Sequence, residues 1–256
     1  MDRDQLRELF DLTDRVAVIT GGTRGIGRAI AEGFVLAGAK VVVASRKADA
    51  CAQSQAHLIA LGGEAIGVPT HVGELGDVDA LVDQTLDRFG RLDIVVNNAA
   101  TPLTMPIGQL TPEAWDKSFA VNLRGPVFLV QAALPHLEAS PCASVVNVIS
   151  AGAFLFSPNV SMYAAAKAAL MSFTRSMAAD FAPRGIRVNA LAPGSVDTDM
   201  MRKNTPEAQV RMAASSHQAR AAAPDEMVGP ALFLASDAAS FMTGQVLIAD
   251  GGLVPH

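Results

Sequence analysis

The sequence predicts an α/β fold in which right-handed βαβ units build one parallel sheet. Three observations carry that expectation. Seven short runs rich in β-branched residues alternate with stretches of helical periodicity. The first of these runs leads straight into a glycine-rich turn and then an amphipathic helical stretch. Half of the 256 residues are hydrophobic and only 18% are charged, which supplies a large core and argues against disorder. The length exceeds the usual single-domain size, yet α/β folds often run to about 200–250 residues as one unit. No Pro/Gly-rich linker or internal repeat interrupts the order, so residues 1–256 read as one domain.

Taken in order, the expected strands are 16–20, 40–45, 64–69, 92–97, 144–150, 186–192 and 245–250, each a short apolar run bounded by polar or turn residues. Helical periodicity is clearest over 28–37 and 162–181. Between Asp197 and Pro224 no strand pattern appears, and Met200, Met201 and Met212 mix with polar residues. That is the best place for a variable element.

Composition excludes several classes. A net charge of −5 and a pI near 5.5 do not suit a general nucleic-acid binder, which needs clustered Lys and Arg, and no run of like charges occurs. The first 14 residues are charged and lack an apolar h-region, and no apolar stretch reaches about 18 residues, so neither a secretory signal nor a membrane span is expected. The cytoplasm is the default location. Cys51 and Cys142 lack metal-ligand spacing and read as buried free thiols. His57, His136, His217 and His256 are scattered, so no metal site is expected.

Two local patterns carry chemistry. Val16 to Thr20 is followed at once by Gly21-Gly22-Thr23-Arg24-Gly25-Ile26-Gly27 and a helix, the arrangement of a phosphate cradle. Glycines let backbone approach a pyrophosphate closely, and the free N–H groups and dipole of a helix N-terminus attract its charge. The spacing, Thr-Gly-x-x-x-Gly-x-Gly, differs from the common dinucleotide fingerprint. The second pattern is the only tyrosine, Tyr163, four residues before Lys167 in a helical stretch. Positions i and i+4 share a helix face, so phenol and ammonium can act at one site. A nearby cation favours phenolate and would move the phenol's pKa down from about 10, toward the range of efficient acid–base catalysis.

Together these motifs resemble the short-chain dehydrogenase/reductase family along nearly the whole chain. Thr20 to Gly27 matches its cofactor loop, and Asn97-Asn98-Ala99-Ala100 is similar to its Asn-Asn-Ala-Gly segment after the fourth strand. Asn122 falls where the family carries a catalytic Asn, and Ser150, thirteen residues before Tyr163, matches its catalytic Ser. Pro193-Gly194, with Val196 and Thr198 after it, looks like the segment that closes on the nicotinamide. Thr243-Gly244-Gln245 and Asp250-Gly251-Gly252 resemble the C-terminal strand signature.

The resemblance implies a Rossmann-type, doubly wound, parallel seven-stranded sheet with helices on both faces, and an NAD(P)-dependent oxidoreductase. It implies a catalytic set of Asn122, Ser150, Tyr163 and Lys167. Tyr163 would exchange the proton, Ser150 would hydrogen-bond the same oxygen, and Lys167 would lower the Tyr163 pKa and bind the nicotinamide ribose. Asn122 would hold a water on the proton path. The implied cofactor contacts are Gly21, Thr23, Arg24, Gly25, Ile26 and Gly27 in the loop, Asn98, Ala99 and Ala100 after the fourth strand, Tyr163 and Lys167 themselves, and Pro193, Gly194, Val196 and Thr198. Residues 197–224 would form a helical lid over the substrate.

Cofactor choice turns on the end of the second strand, where a carboxylate would bind the adenosine ribose and repel a 2′-phosphate. Ser45 stands there, followed by Arg46 and Lys47, and the planar fork of Arg46 together with Arg24 suits phosphate oxygens. NADP(H) is therefore expected over NAD(H). Two positions depart from the family. His71, ahead of Val72, replaces an Asp near the adenine, where it holds the base or caps the strand, and Ala100 replaces a Gly, which is tolerable if the turn needs a small residue rather than positive φ. The run Ala151 to Phe156 and the lid methionines suggest an apolar pocket for a carbonyl or secondary alcohol on a hydrophobic body. A 3-oxoacyl thioester reductase is the alternative and would need a basic docking patch, for which Arg124, Arg202 and Lys203 are loose candidates; a noncatalytic NADP-binding sensor is a third reading. Relatives' assemblies imply a homotetramer, or a dimer, through helices near 114–137 and 164–181 and the last strand.

Overall fold

A computed structural model describes residues 1–155 and 159–254; Phe156 and His256, both singled out above, lie outside the described residues. The chain runs α1 (Arg3–Glu8), β1 (Val16–Thr20), α2 (Gly25–Leu36), β2 (Lys40–Ser45), α3 (Ala48–Ala60), β3 (Ala65–Pro69), α4 (Leu75–Phe89), β4 (Ile94–Asn97), α5 (Pro112–Phe119), a π-turn (Ala120–Arg124) and α6 (Gly125–Glu138). It continues through β5 (Ser144–Val148), α7 (Ser161–Phe181), β6 (Arg187–Pro193), α8 (Asp199–Arg202), α9 (Pro206–Ala214), α10 (Val228–Ala235) and β7 (Val246–Ala249).

The seven strands form one sheet in the order β3-β2-β1-β4-β5-β6-β7, and every neighbouring pair is parallel. Successive side chains on a strand point to opposite faces, so a sheet covered by helices on both sides must be apolar at every position. That is why β1 and β2 read as unbroken Val/Ile/Ala runs. Ala17, Ile19, Val41 and Val43 pack on one face with Ile30 and Phe34 of α2 and Leu234 of α10. Val18, Val42 and Val95 pack on the other with Leu81 of α4, Leu129 and Ala133 of α6 and Met177 of α7. The chain order reverses direction between β1 and β4, and the crevice beyond their carboxyl ends is where α/β sheets bind ligands.

The differences from expectation lie at element ends. The strand expected over 92–97 begins at Ile94; just before it, Asp93 bonds the Val16 carbonyl and the Ser144 N–H through its backbone, while its buried carboxylate is bound by Arg91, the Ser140 hydroxyl and the Val16 N–H. The one expected over 144–150 ends at Val148, and Ser150 instead caps a short 3-10 turn, Ala151–Ala153. α2 starts at Gly25 rather than residue 28, inside the glycine-rich turn. The charged N-terminus holds a helix, α1, which Asp2 and Gln5 close with a capping box. Cys51 is buried as expected, and its burial pushes the thiol pKa up; Cys142 is only partly buried.

Candidate active site

The cradle is a backbone structure held by one hydroxyl and one amide. Thr20 Oγ1, at the tip of β1, accepts hydrogen bonds from the Asn98 and Ala99 N–H groups, each at 3.0 Å. In return Asn98 Nδ2 donates to the carbonyls of Thr20 at 2.9 Å and Gly21 at 3.3 Å. A Cβ on Gly27 would run into Asn98 Nδ2 and the Gly21 carbonyl, so helix and turn fit only with hydrogen there. Asn98 is thus a clamp between the tips of β1 and β4, a use that sequence alone did not expose. Ala100 has no positive φ, so its backbone does not demand a glycine.

At the start of α2, Arg24 occupies the N-cap position but makes no side-chain cap. The first-turn N–H groups therefore lack an intrahelical or capping partner, which is the condition for an anion site. The cradle fits a dinucleotide pyrophosphate on that ground, with Gly21, Thr23, Gly25 and Ile26 around it. At the tip of β2, Ser45 presents no carboxylate, and among the described residues the exposed Arg46 and Lys47 make no ion pair. Arg24 does: its guanidinium stands 3.6 Å from Asp199 on α8. On the far side, Gly194 has no room for a Cβ beside Asp250, Val196 is buried in a bridge to Ala222, and Thr198 is the N-cap of α8, its methyl close to Gly25. His71 and Val72 lie just past β3, on the same rim as Ser45, whose carbonyl accepts the Thr70 N–H at 2.8 Å.

Ser150, Tyr163 and Lys167 come together where β5 ends and α7 begins. The Gly152 N–H donates to Ser150 Oγ at 3.0 Å, which leaves the hydroxyl's own hydrogen to be donated elsewhere. Lys167 is buried, 1% exposed, and Nζ donates to the Val148 carbonyl at 2.7 Å while standing 5.8 Å from the centre of the Tyr163 ring. Burial lowers its pKa to about 8. Tyr163 departs from the sequence expectation. Although part of it reaches solvent, burial raises the phenol pKa, and the opposing downward pull comes from the Ser150 hydroxyl rather than from Lys167, whose ammonium turns to Val148.

Asn122 is fully buried in the π-turn. Its Nδ2 donates to the Thr101 carbonyl at 2.9 Å and Ser118 Oγ at 3.2 Å, and its Oδ1 accepts the Thr101 N–H at 3.0 Å. One amide hydrogen is committed to the loop after β4 and the other to Ser118 on α5, so a water here would be held by a carbonyl rather than by the amide N–H. A second buried chain, Asn97 to Asn147 to Thr174, links β4, β5 and α7 at 2.9 Å per step. In the chain itself it shows merely as polar residues inside apolar strands.

The segment 197–224 carries α8 and α9, in line with the helical expectation, but only Met201 of the three methionines is buried. A cavity of about 340 Å3 behind it, walled by Ser195, Gln218, Arg220 and Asp250, does not include Ser150, Tyr163 or Lys167. Among the described residues no cluster suits a metal ion, and no helix is long and apolar enough to cross a membrane.

Known proteins are similar to this chain over nearly its whole length. The family profile described as enoyl-(acyl carrier protein) reductase matches residues 21–254. A 3-oxoacyl-[acyl-carrier-protein] reductase of Synechocystis sp. is 36% identical over 245 residues, covering 95% of this chain and 98% of that one. The human dehydrogenase/reductase SDR family member 4 is 38% identical, covering 94% and 88%. The crystal structure of a 3-oxoacyl (acyl-carrier-protein) reductase from Agrobacterium tumefaciens C58 with NADP bound superposes with a TM-score of 0.90 at 39% identity, covering 96% and 97%.

Proposed function

The chain belongs to the short-chain dehydrogenase/reductase family of oxidoreductases, and from that premise we propose that it is an NADPH-dependent reductase, or the reverse secondary-alcohol dehydrogenase, for a carbonyl on a hydrophobic small molecule. The observation that carries this reading is the meeting of two hydroxyls, Ser150 and Tyr163, above a buried ammonium. The nicotinamide supplies or takes the hydride when bound. Every other requirement falls on the chain's own groups.

With its Oγ accepting from Gly152, Ser150 keeps one hydrogen to donate, toward the Tyr163 oxygen in the free protein and to the substrate oxygen once bound, a dipole where negative charge grows in reduction. Tyr163, held protonated by burial, is the proton donor to that same oxygen. Alcohol oxidation runs the proton the other way and needs the phenolate, so it is favoured by alkaline pH. Lys167 has three donors and, among the described residues, one hydrogen-bond partner, leaving N–H groups for the nicotinamide ribose hydroxyls. Asn122 acts on the loop at Thr101 that borders the site, with a water beyond it as the outlet for protons. Pro193, Gly194, Val196 and Thr198 would wall the nicotinamide, and residues 197–224 would serve as lid.

The preference for NADP(H) rests on Ser45 in place of a carboxylate and on the unpaired cations Arg46 and Lys47, with Arg24 able to exchange Asp199 for a phosphate. Two relatives named as 3-oxoacyl reductases favour a second reading, a thioester substrate carried by an acidic protein. Against it, Arg202 is bidentate to Asp197 and Arg124 donates to the Gly73 carbonyl, which leaves Lys203 alone of the basic candidates. Exposed Trp115, Phe128 and Phe173 on α5, α6 and α7, with Phe241 near β7, support a homotetramer or dimer. A monomer at micromolar concentration in sedimentation would refute that assembly.

The direct test follows the loss of NADPH absorbance with aryl ketones, aliphatic aldehydes, diketones and 3-oxoacyl thioesters, each repeated with NADH. Turnover of simple apolar ketones with NADPH ahead of NADH is expected. Thioesters far ahead of ketones would select the second reading, and equal use of NADH would sink the cofactor preference. Saturable NADPH binding with silence across the whole panel would turn the reading toward a noncatalytic sensor.

A further inference from the structure

The strand order lays out a dinucleotide along the rim of the sheet. Its phosphates fit the start of α2, its adenosine ribose the tip of β2, and its base the next strand out, at the tip of β3. That tip is Thr70-His71-Val72-Gly73, with an imidazole where the sequence comparison above anticipates a carboxylate.

The imidazole is not free to choose its tautomer. The Gly73 N–H donates to His71 Nδ1 at 3.2 Å. Nδ1 must keep its lone pair, so the ring hydrogen of neutral His71 is on Nε2. The turn that imposes this is fixed on several sides. The His71 N–H donates to Asp77 of α4 at 2.8 Å, the Glu74 N–H donates to the His71 carbonyl at 2.8 Å, and Arg124 donates to the Gly73 carbonyl at 2.6 Å. Among the described residues Nε2 has no protein partner, and the side chain is only partly buried.

We infer that His71 reads the base of the cofactor as a hydrogen-bond donor, and that the protein therefore binds a 6-oxopurine dinucleotide nearly as well as the adenine form. The inference rests on the dinucleotide reading proposed above. A carboxylate in this turn would use one oxygen for the Gly73 N–H and offer the other as an acceptor. Such an acceptor favours the 6-amino group of adenine and repels O6 of hypoxanthine. The Nε2–H group does the opposite: it gains nothing from the amino group and meets acceptors that both purines carry, or O6 itself.

The test titrates the protein with NADPH and with its reduced hypoxanthine analogue, following nicotinamide fluorescence, and repeats both with the dinucleotides that lack the 2′-phosphate. Besides the native protein it uses His71→Asn and His71→Asp, which are equal in size and differ in presenting a donor or an acceptor once the turn N–H is satisfied. Adenine and hypoxanthine forms are expected to bind within about three-fold of each other in the native protein and in His71→Asn, and to separate by about ten-fold or more in His71→Asp. Ten-fold rejection of hypoxanthine by the native protein, or equal ratios in the two variants, overturns the inference while dinucleotide binding stands. Absence of saturable binding by either adenine dinucleotide overturns the dinucleotide reading and this inference with it.

Discussion

The two halves of the groove are built by different means. The cofactor half, from β1 through β3, is shaped by backbone: Thr20 and Asn98 clamp two strand tips, Gly27 admits no Cβ, and α2 leaves its N–H groups uncapped. The reacting half, at the ends of β5 and α7, is shaped by side chains whose charge and proton are set by burial, Lys167 and Tyr163 above all. Backbone sites are insensitive to pH and intolerant of added atoms. Side-chain sites tolerate small steric changes and respond to every change of proton. A residue that belongs to one half should leave the other half's observable alone, and Lys167, which serves both, should not.

Ser150→Ala tests that separation with the largest effect. Loss of one preorganised donor should lower kcat about 10²–10³-fold while the NADPH Kd stays within about three-fold. A matching rise in Kd would tie Ser150 to the cofactor half. Lys167→Met comes next, read as stability against pH in the cofactor-free protein. Its folded pKa, about 8, lies below the ordinary lysine value, so the unfolded chain binds the extra proton above pH 8 and native stability should rise with pH from there. The gain is of order 1–3 kcal/mol up to pH 10, beyond which the raised Tyr163 pKa works the other way, because the unfolded phenol ionises first. Thermal unfolding of Lys167→Met should lack the rise; if it keeps it, another group is responsible. Arg46→Ala has the smallest expected effect, about ten-fold weaker NADPH binding with NADH unchanged, since the side chain is exposed and screened. Equal losses for both dinucleotides would remove Arg46 from the 2′-phosphate.

The same contrast explains what was legible in the sequence. Strands buried on both faces read as continuous apolar runs, and the close-packed turn can be written in few ways other than glycines at fixed spacing, so the parallel sheet and the glycine-rich turn after β1 were legible in the chain alone. Tyr163 and Lys167 were legible as spacing, and Ser150 through the family resemblance. Their hydrogen bonds were not: that Lys167 turns to Val148, that Asn122 ties down Thr101, or that Asn98 clamps the turn depends on which backbone groups the fold leaves open. Element ends blurred for a similar reason, since Ser150 turns out of the strand to cap a 3-10 turn with a side-chain bond formed only in the folded chain. The helical segment 197–224 was legible in the chain itself only as a lack of strand pattern.

The most direct measurement of the central claim, that the Tyr163 hydroxyl exchanges the proton and adds little to cofactor affinity although the residue borders the cofactor, is Tyr163→Phe assayed for both kcat and NADPH Kd on the best ketone of the panel. The expected result is a fall in kcat of about 10³-fold with Kd within about three-fold of the native value. Retention of a tenth or more of the native kcat, with binding intact, would contradict it.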